Sequence, residues 1–207
     1  MISKMNFDTS TLEQQIPYYL TAEDRQVLVR ELEAISQGGS AEYILSDYRD
    51  NFKSEMLQGD GWKGFQLYIF KKKSLKSVSG LILSNSCDIE TKNLRDTPAR
   101  VTFCPLVKLN KYQEVLKKAQ LPEEKIQQKI SAIRSQKITN IFFLPAGRWG
   151  TDDYIIRFDD IYSMLVKDFH ENQECEKIFT LSNTGFYMLL LKLSIHFCRF
   201  QEKVDRK

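Results

Sequence analysis

Val78-Ser79-Gly80-Leu81-Ile82-Leu83-Ser84-Asn85-Ser86-Cys87-Asp88 passes from a short apolar run into a polar corner that carries a thiol. An apolar hexapeptide bounded by polar residues reads as a buried strand. The corner then lies at a strand end, where a rigid scaffold holds polar side chains toward solvent. Similar strand-like stretches flank it: Phe65–Phe70, Val101–Val107 (VTFCPLV), Asn140–Leu144 (NIFFL) and Tyr154–Phe158 (YIIRF). Gly59-Asp60-Gly61 marks where this texture begins. Lys71, Lys72, Lys73 and Lys76 lie between the first two strands, where charge discourages edge-to-edge association.

Around this β core the periodicity turns helical. Thr21 reads as an N-cap, with Leu28, Leu32 and Ile35 on one face, and Gly38-Gly39 as the stop. Tyr48, Phe52 and Met56 predict a second helix within residues 41–57. Tyr112, Val115, Leu116 and Ala119, then Ile126, Ile130 and Ile133 beyond Pro122, predict a helical hairpin inserted between strands. Phe186, Leu189, Leu190, Leu193 and Phe197 predict a last helix that is apolar on nearly every side and therefore buried. The expected class is α+β. Residues 1–57 form an N-terminal helical segment, 58–168 a β core with the helical insert 109–137, and 169–207 a C-terminal helical segment.

Composition excludes several classes. At 207 residues, 42% hydrophobic and 28% charged, the chain can bury a core without disulfides or metal. Cys87, Cys104, Cys175 and Cys198 form no C-x-x-C pair and stand at no metal-ligand spacing with His170 or His196, so neither a metal site nor a cofactor is expected. Met1–Phe7 has no apolar stretch, and Phe186–Phe197 is interrupted by Lys192, Ser194 and His196. Cytoplasmic location and no membrane contact are the expectation. The phosphate-loop, dinucleotide and zinc-protease motifs are lacking. Net charge is +3, but from Lys108 to Lys137 seven lysines and Arg134 against three glutamates make this stretch locally basic.

Two sets of residues carry candidate chemistry. In the corner, Asp88 can accept a proton, Cys87 can act as a nucleophile if ionised, and Asn85 stands beside both. The bland alternative is an Asx turn with a structural cysteine. The second set is basic: Lys71, Lys72, Lys73, Lys117, Lys118, Lys125, Lys129, Arg134 and Arg148. Trp149 follows Arg148, and an Arg-Trp pair can hold a phosphate and stack a base. These positions are candidates for contact with nucleic acid or an acidic partner; a solvated face is the alternative for any one lysine.

The order of these elements resembles that of the MazF/PemK-like toxins. The parallels are Gly59-Asp60, the strand 65–70, the basic link 71–76, Gly80-Leu81-Ile82-Leu83-Ser84, Phe103-Cys104-Pro105-Leu106 and Ile155–Ile161. Ser84-Asn85-Ser86-Cys87-Asp88 is similar to the S-Q-[ST]-C-D motif of bacterial and phage-associated relatives. The resemblance covers about residues 58–165 without the insert. It implies a small SH3-like barrel, RNA as ligand and a toxin-antitoxin or antiviral-defence setting. The chain departs from the family at Val78-Ser79-Gly80, where the toxins carry Arg-Pro, and at Leu106-Val107-Lys108, where they carry Thr or Ser. The expected function is therefore a non-catalytic or regulatory binding component of a bacterial stress or phage-defence system. It would contact RNA, DNA or a partner protein, the latter through the C-terminal helix or the insert, and could pair with its own copy. An active endoribonuclease and a Cys87-dependent enzyme are the alternatives.

Overall fold

The computed structural model describes Glu23, Gln26, Val29, Arg30 and residues 43–45, 52–147 and 149–197. Among them, two antiparallel sheets and five helices form a mixed α+β arrangement. The first sheet contains β1 (Gly61–Ile69), β2 (Ser74–Ile82), β3 (Arg100–Pro105), β7 (Tyr162–Leu165) and β8 (Glu176–Phe179), in the order β7-β3-β2-β1-β8. The second contains β4 (Val107–Lys108), β5 (Ile141–Leu144) and β6 (Tyr154–Arg157), in the order β4-β6-β5. The helices are α1 (Ser86–Ile89), α2 (Leu109–Lys118), α3 (Glu123–Arg134), α4 (Val166–Glu171) and α5 (Asn183–Phe197).

One extended run, residues 100–108, serves both sheets. β3 pairs with β2 and β7, the chain passes Leu106, whose N–H donates to the Ser79 carbonyl at 2.8 Å, and β4 then pairs with β6. Neither sheet closes on itself. The ladders therefore do not confirm the SH3-like barrel that the resemblance implied. β4 is only two residues long before the chain turns into α2, which leaves β4 and β5 as edges of the second sheet.

Alternation along the strands sorts side chains into three cores. Leu81, Cys104, Phe142, Leu144, Ile156 and Phe179 meet Met188, Leu189 and Leu191 of α5. On the other face of the first sheet, Phe65, Ile82, Val101 and Phe103 meet Val166 and Phe169. On the other face of the second, Ile141, Phe143 and Ile155 meet Leu116, Ile126, Ile130 and Ile133 of the α2–α3 hairpin. β5 is thus covered on both faces, which explains why it reads as an unbroken apolar run. The inserted hairpin stands where the helical spacing placed it.

Other expectations need correction. The described positions of the first helix, 23, 26, 29 and 30, are helical; the rest of that element lies outside the described residues. Within 41–57, Tyr43–Leu45 is extended and Ile44 bridges Leu181, while residues 52–56 are turn and irregular backbone, so these positions are not helical; residues 46–51, with Tyr48, lie outside the described residues. Tyr43 is drawn into the core against Phe142, with ring centroids 6.1 Å apart. The segment from 169 onward is not all helical: β8 pairs with Gly61–Lys63 of β1 and supplies a sheet edge. The apolar sides of α5 pack on the chain's own core, and Gly185 sits so close to the 43–45 segment that a Cβ would lie 2.4 Å from the Tyr43 carbonyl oxygen. That helix is accordingly engaged within the molecule.

α5 also carries a fully buried lysine. Lys192 Nζ donates to the Gln136 carbonyl (3.1 Å), to Gln136 Oε1 (2.9 Å) and to the Ile141 carbonyl. Gln136, in the left-handed region with φ 55°, in turn bonds Phe143 through both its side-chain atoms. These bonds pin the last helix to the end of the insert. Burial pushes the Lys192 pKa well below its ordinary 10.5. In the interval between the two values the unfolded chain binds a proton that the folded one lacks, so stability rises with pH. Urea unfolding from pH 7 to 9.5 is expected to show this rise in the parent and a flatter profile in Lys192→Met. Equal slopes would remove the assignment.

Candidate functional site

The corner after β2 is built from backbone caps. Asn85 Oδ1 accepts the Cys87 N–H at 2.9 Å and starts the one-turn α1. Ser84 Oγ accepts from Thr102 N–H at 2.8 Å, and Ser86 Oγ from Gln58 N–H at 2.9 Å. The Cys87 carbonyl receives Asn93 Nδ2 (2.9 Å) and an Arg95 guanidinium N–H (2.6 Å). Asn85, Cys87 and Asp88 are exposed as expected. Among the described residues, however, no base is hydrogen-bonded to the Cys87 thiol. The Ser84, Asn85 and Ser86 side chains are occupied in holding its shape, and a nucleophile without a positioned base is poorly activated. Cys104 is inert by burial, which pushes its thiol up to about 12, and burial raises Cys175 as well. No three His, Cys, Asp or Glu side chains cluster as a metal site among the described residues.

The basic candidates separate into two groups with different electrostatics. In the insert, Lys117 lies 3.5 Å from Glu123, Arg134 lies 2.9 Å from Asp153, and Lys129 stands over the Tyr112 ring at 5.6 Å. Lys118 and Lys125 are exposed on the same hairpin. Arg148 lies outside the described residues. Trp149 is half-buried: its ring meets Phe179 edge-on at 4.7 Å and Tyr154 at 5.3 Å, and its Nε1 donates to the Pro145 carbonyl. That ring is committed to packing.

The β1–β2 ribbon is different. β8 pairs β1 only over Gly61–Lys63, and β3 pairs β2 only over Gly80–Ile82. The five pairs from Phe65–Val78 to Ile69–Ser74 are held by the two strands alone. At about 3.3 Å per residue this part of the ribbon is roughly 15 Å long. Its root is fixed by an irregularity at Lys63-Gly64, where Gly64 has φ 94°, accepts Asn172 Nδ2, and approaches the Cys175 backbone too closely for a Cβ to fit easily.

Cross-strand partners share a face, so Tyr68 and Leu75 stand side by side, with Gln66 and Ser77 next along. Tyr68 is 48% exposed, Leu75 66% and Phe70 83%, which makes this an apolar outer face rather than a buried one. Tyr68 and Phe70 are perpendicular at 5.0 Å. The turn is Phe70–Lys72 followed by Lys73 in the left-handed region, so three consecutive lysines form the tip, and Lys76 pairs with Leu67 behind it. Among the described residues none of these four lysines touches a carboxylate. The sequence marked Lys71–Lys73 but missed Tyr68, Phe70 and Leu75. Their signal was alternation: Phe65, Leu67 and Ile69 take one side of β1, and Gln66 and Tyr68 the other.

The ribbon tip and the corner occupy opposite ends of β2, which spans nine residues, or roughly 25–30 Å. The structure thus does not bring Lys71–Lys73 together with Asn85, Cys87 and Asp88. No protein-family model matches the chain, and a search of curated proteins finds no match. Among the described residues no helix is long and apolar enough to cross a membrane.

Proposed function

We propose that this protein is a non-catalytic binding component that contacts nucleic acid, and that the β1–β2 ribbon is its contact surface. The observation that carries this reading is the set of three tip lysines, Lys71, Lys72 and Lys73, without acidic partners beside exposed aromatic rings. Unpaired lysines on a projecting ribbon are free to neutralise phosphates and release counterions. The insert's Lys117 and Arg134 already have carboxylates at hand, which ranks that surface second. The departure of the corner from a base-activated nucleophile supports binding over cleavage. The order of elements along the sequence, which resembles that of MazF/PemK-like toxins, supports a place in a bacterial stress or phage-defence system.

Fluorescence anisotropy with labelled 20-mer oligonucleotides tests the reading. The parent is expected to bind with a log Kd that weakens by about 2–3 per tenfold rise in salt, as three to four phosphate contacts on a single strand predict. The triple variant Lys71→Glu/Lys72→Glu/Lys73→Glu should lose binding by at least about a hundredfold, whereas Lys118→Glu/Lys125→Glu should change it little. An unaltered affinity in the triple variant overturns the ribbon as the contact surface. Cleavage of the oligonucleotide during the assay would favour the endoribonuclease reading instead.

A further inference from the structure

We infer that the ribbon selects single-stranded nucleic acid, with Tyr68 and Phe70 each stacking a base while Lys71, Lys72 and Lys73 at the tip follow the phosphates. This rests on the nucleic-acid reading above and adds a substrate class to it. Three observations support it. The aromatic rings are exposed on a strand pair whose other face, through Phe65 and Leu67, is buried, so their exposure is not a general failure of packing. Tyr68 and Phe70 touch each other edge to face, which leaves each ring a free π-surface pointing in a different direction. A splayed single strand can offer unpaired bases to both, whereas a duplex keeps its bases stacked and hidden.

Duplex reading and membrane docking fit less well. A two-stranded ribbon does enter a major groove, but readout there needs side-chain donors and acceptors fixed against base edges. Here the outer face is led by two rings and Leu75. An anionic membrane would suit the mixture of lysines and aromatics, but the order along the ribbon is wrong for insertion: Lys71, Lys72 and Lys73 form the tip, ahead of Tyr68 and Leu75. Insertion would drive three charges into hydrocarbon first.

The test compares a 20-mer single strand, the same sequence as a duplex, inorganic polyphosphate and vesicles containing anionic lipid, all at one salt concentration. The single strand is expected to bind at least about tenfold more tightly than the duplex or polyphosphate. Tyr68→Ala/Phe70→Ala should erase that preference, with a ten- to several-hundredfold loss on the single strand and little change on polyphosphate. Tyr68→Phe, which keeps the ring, should retain it. Phe70→Trp supplies a direct readout: stacking should quench its emission on adding single strand but not polyphosphate. Equal affinity for duplex and single strand, a preference that survives loss of both rings, or tighter binding to vesicles overturns this inference. Absence of binding to every nucleic acid would instead overturn the reading on which it rests.

Discussion

Lys177→Ala is expected to destabilise the fold by about 3–5 kcal/mol, the cost of leaving a buried charge without its partner. Lys177 Nζ lies 2.7 Å from Asp60 Oδ2, and both side chains are almost wholly sequestered. The ammonium also donates to the Phe52 carbonyl and stands over the Trp62 ring at 5.3 Å. Asp60 Oδ2 takes a second bond from Leu57 N–H, while Oδ1 has no hydrogen-bond partner. Burial outweighs the attraction of Lys177 and holds the Asp60 pKa above its usual value. An acid with a raised folded pKa favours the native state below its unfolded pKa, and this advantage is lost as pH rises through the folded one. Removing the ammonium raises that pKa further. The penalty of Lys177→Ala should therefore be larger at pH 8 than at pH 5. Adding Asp60→Ala should recover much of it, since the double variant leaves no lone charge. Urea unfolding of the four proteins at both pH values checks this. Additive single effects with no pH dependence would show that the pair is not coupled.

Phe65→Ala should cost about as much, by a different route. Phe65 is fully buried, with its ring 4.0 Å from that of Phe103 at 14° and 4.6 Å from that of Phe169 at 26°. It joins β1, β3 and α4 in one stack. Truncation removes the ring's transfer energy and leaves a void between two sheet strands and a helix, for a loss of about 3–5 kcal/mol. For a chain of this size the midpoint of thermal unfolding should fall by about 6–20 °C. Phe65→Leu should lose markedly less, because most of the volume is kept. A drop of only a degree or two in Phe65→Ala would mean that the stack contributes little.

Most of the core strands were legible because burial on both faces leaves an uninterrupted apolar signature. Asn140–Leu144 and Val78–Leu83 read as strands for that reason, and the inserted hairpin showed in the spacing of Ile126, Ile130 and Ile133. The edge strands of the first sheet gave no such signal. Tyr162–Leu165 is short and half exposed, Glu176–Phe179 is short and opens on two charged residues, and only their pairing with β3 and β1 defines them. The expected second helix within 41–57 rested on the spacing of Tyr48, Phe52 and Met56; the described positions 52–56 are not helical, and Tyr43 and Ile44 are fixed by contacts with residues far along the chain. The site followed the same pattern. Charge is a property of composition, so Lys71–Lys73 stood out. The exposure of Tyr68, Phe70 and Leu75 arises because β3 and β8 stop short of the ribbon, and that is settled by tertiary pairing. Asn85, Cys87 and Asp88 were correctly placed at a solvent-facing corner, while the capping bonds that occupy it come from Gln58, Asn93, Arg95 and Thr102.

The two deepest polar contacts both wait on late residues. Asp60 is neutralised from position 177, and the carbonyls at Gln136 and Ile141 are capped from position 192. During synthesis, a nascent chain emerging from the ribosome therefore holds an unmatched carboxylate and open carbonyls until residues 177 and 192 have emerged. Vectorial folding can assemble the hairpins early, but the interior seals only once residues 177 and 192 are free to pack, and the interval before that is when chaperone capture matters most.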